Sequence, residues 1–345
     1  MANKILAIGL LSFMLAGASC NSSSAQKTAQ VSAISMTVDS MPQIKNLQDI
    51  RIVDDKLYLT YDYIGGYGHQ LFCCYTIDYT NNHLSFDKEY FQKDPIFVPI
   101  TFWDDKGNLL VAERDNPYIY TVVNDSLHKT PNALISEKAH TPYKMVMEAK
   151  QAFYKAKNEY YFIGRQALSG IQAVYHSDNK DDELIVRETQ RIVFDERYPS
   201  WIVNYGVFTY NYFKNCGAYA YQMFPAIQIY NFTDTTHITI STETESFNPN
   251  TLSDADVWEM NPVQYKYITS TAQYIYALYW GMMAGDMNDK HNNGTAITKI
   301  LKYDWEGKLR HVYLVNKGLQ GIAVTSDNHE VIGYDGKEFL LIHLE

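Results

Sequence analysis

The chain has 345 residues, 46% hydrophobic and 20% charged, enough to bury a large core in one or two globular domains. It carries 29 Lys and Arg against 39 Asp and Glu, a formal charge of -10, and no run of five basic residues. That excludes nucleic acid as a partner, because phosphate binding needs a clustered positive field. Tyr is abundant at 29 residues, and its rings either fill strand-rich cores with their hydroxyls on polar partners or offer a glycan-stacking surface.

The chain begins with an address. "MANKILAIGLLSFMLAGASC" has Lys4 and then an uncharged stretch over residues 5–19, shorter than the ~20 apolar residues of a membrane-spanning helix, so residues 1–19 read as an export signal. Gly17, Ala18 and Ser19 directly before Cys20 resemble a bacterial lipobox, with Cys20 as the lipid-attachment residue; Gly17 stands where Leu is usual. A plain secretory cut nearby is the alternative. Residues 20–30 are small and polar, a flexible tether to a single domain over residues 31–345. Asn21 is not the Asp of inner-membrane retention, and no acidic cluster follows Cys20. The expected location is therefore an outer-membrane lipid anchor facing the periplasm, with the cell surface as the lesser possibility.

From residue 54 onward, a short apolar run behind a polar turn recurs: "DDKLYLTYDY", "DKGNLLVAERD", "AKNEYYFIGRQ", "NYGVFTYNYF", "TAQYIYALYWG" and "SDNHEVIGYDG". With Leu57, Leu109, Tyr160, Val207, Tyr274 and Glu330 taken as equivalent, the separations are 52, 51, 47, 67 and 56. A period near 50 is propeller spacing. Five units continue with a second strand–turn–strand: "CYTIDYTNNHLSF", "YIYTVVNDSLHK", "AVYHSDNKDDELIV", "IQIYNFTDTTHITI" and "KILKYDWEGKLRHV". Runs such as "YIYALYW" are continuously apolar, as strands covered on both faces must be. The fold class is all-β, a six-bladed β-propeller. The last unit, residues 321–345, supplies only three strands, and the strand-like "AQVSAISMTV" at residues 29–38 is expected to close the ring by pairing with the C-terminal strand. Two stretches read as helix, "TPYKMVMEAKQAF" with Met145, Ala149 and Ala152 on one face, and "SDADVWEM" with Ser253 as cap. A strand from about Ala152 competes for the first.

Candidate chemistry is sparse. Cys73, Cys74 and Cys216 have no metal-ligand or CxxC spacing and read as buried, inert thiols, with a bridge from Cys216 to either neighbour as the alternative. No GxSxG, HExxH, P-loop or dinucleotide motif occurs, and "GGYGHQ" at residues 65–70 reads as a loop tip. Two insertions break the spacing, and insertions in repeat folds map to a binding face. One, at residues 242–264, is acidic, with Glu243, Glu245, Asp254, Asp256 and Glu259. The other, at residues 281–295, follows Trp280 and gives the candidate ligand-binding set Trp280, Met283, Asp286, Asp289 and His291. Asp286, Asn288, Asp289, His291 and Asn293 are ligand types for Ca²⁺ or a transition metal, though no Glu stands at an EF-hand twelfth position. Asp, Asn and Gly equally mark a plain mobile loop, and Met282, Met283 and Met287 an adaptable apolar contact.

The lipoprotein-type start, the six units and "YKYITSTAQYIYALYWG" followed by "ILKYDWEGKL" resemble the TolB-like six-bladed propeller lipoproteins of Gram-negative bacteria, over residues 44–345. The resemblance implies a fold and no reaction; better understood relatives bind proteins or peptides, and some six-bladed propellers are calcium-dependent hydrolases. The reading preferred is an envelope-anchored module binding a protein, peptide or glycan, with the membrane met only through the lipid. The alternative is a hydrolase or lyase with a divalent ion such as Ca²⁺ in the central channel.

Overall fold

The computed structural model describes residues 27–63, 70–90, 99–114, 118–124, 126–135, 146–166, 169–180, 183–241, 247–248 and 254–344. Three short strands come first, β1 (Lys27–Val31), β2 (Ala33–Ser35) and β3 (Thr37–Val38). Six antiparallel sheets follow in chain order. Blade 1 holds β4 (Ile44–Val53), β5 (Lys56–Tyr63), β6 (Gln70–Asp78) and β7 (His83–Tyr90); blade 2 holds β8 (Pro99–Trp103), β9 (Leu109–Glu113), β10 (Tyr118–Val123) and β11 (Ser126–Ala133). Blade 3 holds β12 (Val146–Ala156), β13 (Glu159–Gln166), β14 (Gln172–Lys180) and β15 (Glu183–Arg191), and blade 4 β16 (Gly206–Asn211), β17 (Cys216–Tyr221), β18 (Ala226–Asn231) and β19 (Thr236–Ser241). Helix α1 (Asp254–Met260) precedes blade 5, which is β20 (Val263–Ser270), β21 (Tyr274–Met282), helix α2 (Ala284–Asn292), β22 (Thr298–Asp304) and β23 (Leu309–Val315). Blade 6 is β24 (Gly321–Val324), β25 (Glu330–Tyr334) and β26 (Phe339–His343).

This is the expected six-bladed propeller. First strands of neighbouring blades touch around the axis, β24 meeting β4 to complete the circle. The approach there is close: a Cβ on Gly321 would stand 2.6 Å from Leu47 Cδ2. The expected closure also holds, because β2 pairs antiparallel with β26, Ala33 opposite Ile342 and Ser35 opposite Leu340, and becomes the fourth strand of blade 6. The same segment does more than close one blade. β1 adds parallel to β23 as a fifth strand of blade 5, and β3 adds parallel to β7 as a fifth strand of blade 1. Residues 27–38 thus strap the rims of three consecutive blades. The Ser35 hydroxyl donates to the Glu338 carboxylate, and the Thr37 hydroxyl lies 2.7 Å from His83 Nδ1.

The turns follow their residues. Asp54, Gly107, Asn158, Asn215 and Asn328 take positive φ between the first two strands of their blades, and Asn82, Asn124, Thr235 and Gly307 between the last two. At residues 304–308, the stretch that reads as an outer hairpin, Gly307 has φ 83° and Asp304 Oδ1 accepts from the Lys308 amide at 2.7 Å.

Two expectations need correction. Val207 lies on the first strand of its blade, β16, whereas its five supposed equivalents lie on second strands. The equivalent is Cys216 at the start of β17, 56 positions after Tyr160 and 58 before Tyr274, so the irregular 67 disappears. β16 misleads because Phe208 is buried against its neighbours and reads as apolar as a middle strand. The helix expected around residues 142–152 is strand β12 from Val146, while Met145 lies outside the described residues. The register shifts between Ala149 and Gln151, so Lys150 is an extra bulged residue. The bulge puts Ala149 and Ala152 on one sheet face, in one buried cluster, at a spacing that imitates a helix. Helix α1 forms as expected, and its candidate cap Ser253 lies outside the described residues.

First strands alternate in length around the ring. β4, β12 and β20 have 10, 11 and 8 residues and carry register shifts, whereas β8, β16 and β24 have 5, 6 and 4 and carry none against their partners. Between blades lie the cores, and tyrosine dominates them: nine of the twelve largest fully buried side chains among the described residues are Tyr. Several of their hydroxyls find partners: Tyr221 and Tyr230 both donate to Gln228 Oε1 at 2.5 and 2.6 Å and Tyr219 donates to the Asn204 carbonyl at 2.8 Å. Burial pushes the phenols of Tyr219, Tyr230 and Tyr267 far up. The unfolded chain ionises its tyrosines from about pH 10, so this contribution to stability is complete below that pH and is lost as pH rises toward the folded values. Alkaline titration followed by ultraviolet absorbance and circular dichroism is expected to show the buried tyrosinates appearing together with unfolding, not before it.

Candidate functional site

Each blade sends its first strand to the axis, so the channel is lined by residues far apart in sequence. A cavity of ≈ 200 Å³ lies there. Its walls come from all six blades: Asp49 and Arg51 on β4, Trp103 on β8, Gln151 and Phe153 on β12, Phe208 to Tyr210 on β16, Tyr267 to Ser270 on β20 and Val324 on β24. Val53, Trp103, Ser270 and Val324 end their strands, which places the cavity toward the end of the channel that carries the first hairpin turn of each blade.

Arg51 is its cation. The guanidinium lies 5.5 Å from the Trp103 ring centroid and 5.2 Å from that of Phe153, and its Nε donates to Asp49 Oδ2 at 2.7 Å. The Tyr267 hydroxyl also donates to Asp49, and accepts from the buried Ile50 amide at 3.1 Å. Gln151 bridges to blade 4, its Nε2 donating to the Phe208 carbonyl at 3.2 Å and its Oε1 accepting from the Phe208 amide at 3.0 Å. Thr209 and Ser270 hydroxyls meet at 2.7 Å. The wall is thus one neutralised ion pair, aromatic faces and hydroxyls. Asp49 is the single carboxylate among these lining residues and is already held by two donors. Among the described residues no three His, Cys, Asp or Glu converge to hold a metal.

The other end of the channel carries both insertions, since the connections between blades and between second and third strands emerge on one face. Helix α1 packs there: Val257 is buried, Trp258 meets Tyr205 at 5.1 Å, and Asn261 Nδ2 donates to the Val257 carbonyl at 3.0 Å. Asp256 is half-buried and Glu259 exposed on it, while Glu243 and Glu245 lie outside the described residues. Lys150 and Arg165 flank the Trp201 ring at 4.2 and 4.8 Å. Lys266 is bulged out of β20 between Tyr265 and Tyr267, and its Nζ stands 5.2 Å from the Trp280 ring, with burial holding the ammonium below the usual lysine range.

The candidate residues around Trp280 divide between a small core and the outer side of a helix. Trp280 is only 8% exposed, and its Nε1 donates to the Leu319 carbonyl at 2.7 Å, within a small core of Val263, Met287 and Ala296. What reads as a loop is helix α2, with half-buried Met283 at its N-cap, and Asn293 and Gly294 closing its end onto the Asp289 and His291 carbonyls. Asp286 and Asp289 are exposed; His291 is half-buried beside Gly318. The helix was hidden because only Met287 is buried on it, so no apolar stripe marks it. The thiols are free, Cys73 and Cys74 buried and Cys216 half-buried, and burial pushes the first two up to about 12 and about 11. Cys20 and most of "GGYGHQ" lie outside the described residues.

Six four-stranded units around a channel define a β-propeller of six blades. The resemblance to TolB-like propellers is borne out: residues 202–327 match the model of a family described as TolB-like 6-blade propeller-like, and the remaining blades repeat that architecture. Among solved structures, the chain is similar to regucalcin from Agrobacterium tumefaciens, a calcium-binding protein, at 9% identity over 92% of this chain and 95% of that one, with a TM-score of 0.51. A streptogramin B lyase matches at 11% identity over 91% and 97% of the two chains with a TM-score of 0.48. A chain of a nidogen–laminin complex matches at 9% identity over 80% and 86%, with a TM-score of 0.42. At 9% identity the likeness to regucalcin speaks for the fold alone. No curated protein matches the chain.

Removing the Tyr267 hydroxyl tests how firmly the channel is built. Tyr267→Phe strands the buried Ile50 amide and is expected to lower stability by about 1–3 kcal/mol, read by denaturant unfolding.

Proposed function

We propose that this chain is a binding module of the bacterial envelope, held by lipid at Cys20, that takes a protein, peptide or glycan ligand by receiving one of its groups in the axial cavity. The observation that carries this reading is the lining. Arg51 beside the Trp103 and Phe153 rings, with the Thr209 and Ser270 hydroxyls on the same wall, offers a cation, aromatic faces and hydroxyls suited to a sugar, an aromatic ring or an amide. At ≈ 200 Å³ the cavity suits a single such group, so a larger ligand would spread over the surrounding turns. The donor set speaks against the metal-dependent hydrolase, since divalent sites need converging oxygen ligands and Asp49 is already engaged.

Two measurements test it. Glycan and peptide arrays probed with the purified protein are expected to yield ligands whose binding falls about tenfold or more, roughly 1.4 kcal/mol, in Arg51→Ala and Trp103→Ala. Metal analysis of the protein is expected to find no stoichiometric tightly held ion. A bound divalent ion that survives dialysis and is lost on Asp49→Asn would transfer the site to the hydrolase.

A further inference from the structure

The rim of the ring is guarded unevenly. The strap covers the outer edges of blades 5, 6 and 1, and among the described residues no further strand pairs with β11, β15 and β19, the outer edges of blades 2, 3 and 4. β11 carries Lys129 and Pro131, and β15 carries Glu183, Arg187, Glu188 and Arg191. Charges and proline are the means by which an edge strand refuses a further strand. β19, "THITIS", has neither proline nor Asp, Glu, Lys or Arg, and all its residues but the half-buried Ile240 are exposed, Ile238 at 43%.

We propose that β19 is a self-association edge, at which two copies of this chain pair their β19 strands antiparallel about a two-fold axis and join two blades into one continuous sheet. Several features select a second copy. In a chain of charge -10, like-with-like approach is repelled wherever charge stands at the contact, and β19 is the free edge without it. The rim already accepts added strands, as β1 does on the outer strand of the neighbouring blade 5. A two-fold axis normal to the sheet keeps each face continuous and sets Ile238 opposite its own copy and Thr236 opposite Ile240. These residues share the face on which Ile238 and Ile240 approach the Gly307 turn, so the pairing extends an apolar surface that is already present.

The test is sedimentation of the purified protein over a concentration series. The expected mass rises with concentration from that of one chain toward twice that value. Ile238→Lys and, on the opposite face of the same strand, Thr239→Lys are each expected to leave a monomer throughout, with circular dichroism unchanged. Phe213→Ser, which removes the 81% exposed ring in another turn of the same blade, is expected to leave the dimer intact. In a Cys216→Ser background, Ile238→Cys is expected to give an intermolecular disulfide under mild oxidation. A monomer at every concentration, as when the edge awaits a strand of a different protein, overturns the proposal. So does a dimer that survives both lysine substitutions or vanishes with Phe213→Ser.

Discussion

Blade 6 has three strands of its own, and everything else in the ring depends on the fourth arriving from the opposite end of the chain. Ser35 and Glu338 are 303 residues apart and hydrogen-bonded. The entropic cost of closing so long a loop grows only with the logarithm of its length, so joining the termini costs little more than closing a single blade. What offsets it is paired backbone at three blades and the burial of Val31 and Met36 in the cluster that also holds Ile322, Leu340 and Leu341. The tie is electrostatic as well: Glu338, which accepts from Ser35, pairs with Lys317 at 2.7 Å, and that ammonium keeps its carboxyl below the usual range. Blades 5, 6 and 1 are therefore coupled by one segment, unlike the units of an open repeat array, where each meets only its neighbours.

Tyrosine abundance resolves into architecture. Wedges between blades need large flat side chains with some polar reach, and Tyr219, Tyr221 and Tyr230 meet that need together with Gln172, Gln228 and the Asn204 carbonyl. The aromatic side chains that line the axial cavity are a separate and smaller set. It consists of Trp103, Phe153, Phe208, Tyr210 and Tyr267, with the Arg51 guanidinium close to the first two.

The blades were legible because their signals are local: apolar runs of fixed length, and Asn, Asp or Gly at the turns that need positive φ. Errors arose where a local pattern had two physical origins. Ala149 and Ala152 share a face through a bulge as they would through a helical turn, and Phe208 on β16 is as buried as a residue of a middle strand. Helix α2 escaped because its Asp, Asn and Gly content is that of a loop and Met287 alone faces the core. The cavity could not be read at all. Arg51, Trp103, Gln151 and Tyr267 become neighbours only through the curvature of the ring, and nothing in the residues flanking each of them announces the others.

The alternation of long, kinked inner strands with short, regular ones changes what the lumen presents. By topology the molecule repeats six times, yet at the axis its period is two blades. Gln48, Lys150 and Lys266 are among the extra residues of β4, β12 and β20, each followed by a polar side chain that crosses to another blade, namely Asp49, Gln151 and Tyr267. These three side chains are chemically distinct, an acid, an amide and a phenol, and two of them, Asp49 and Tyr267, meet each other. The lining of the bore therefore repeats neither sixfold nor threefold.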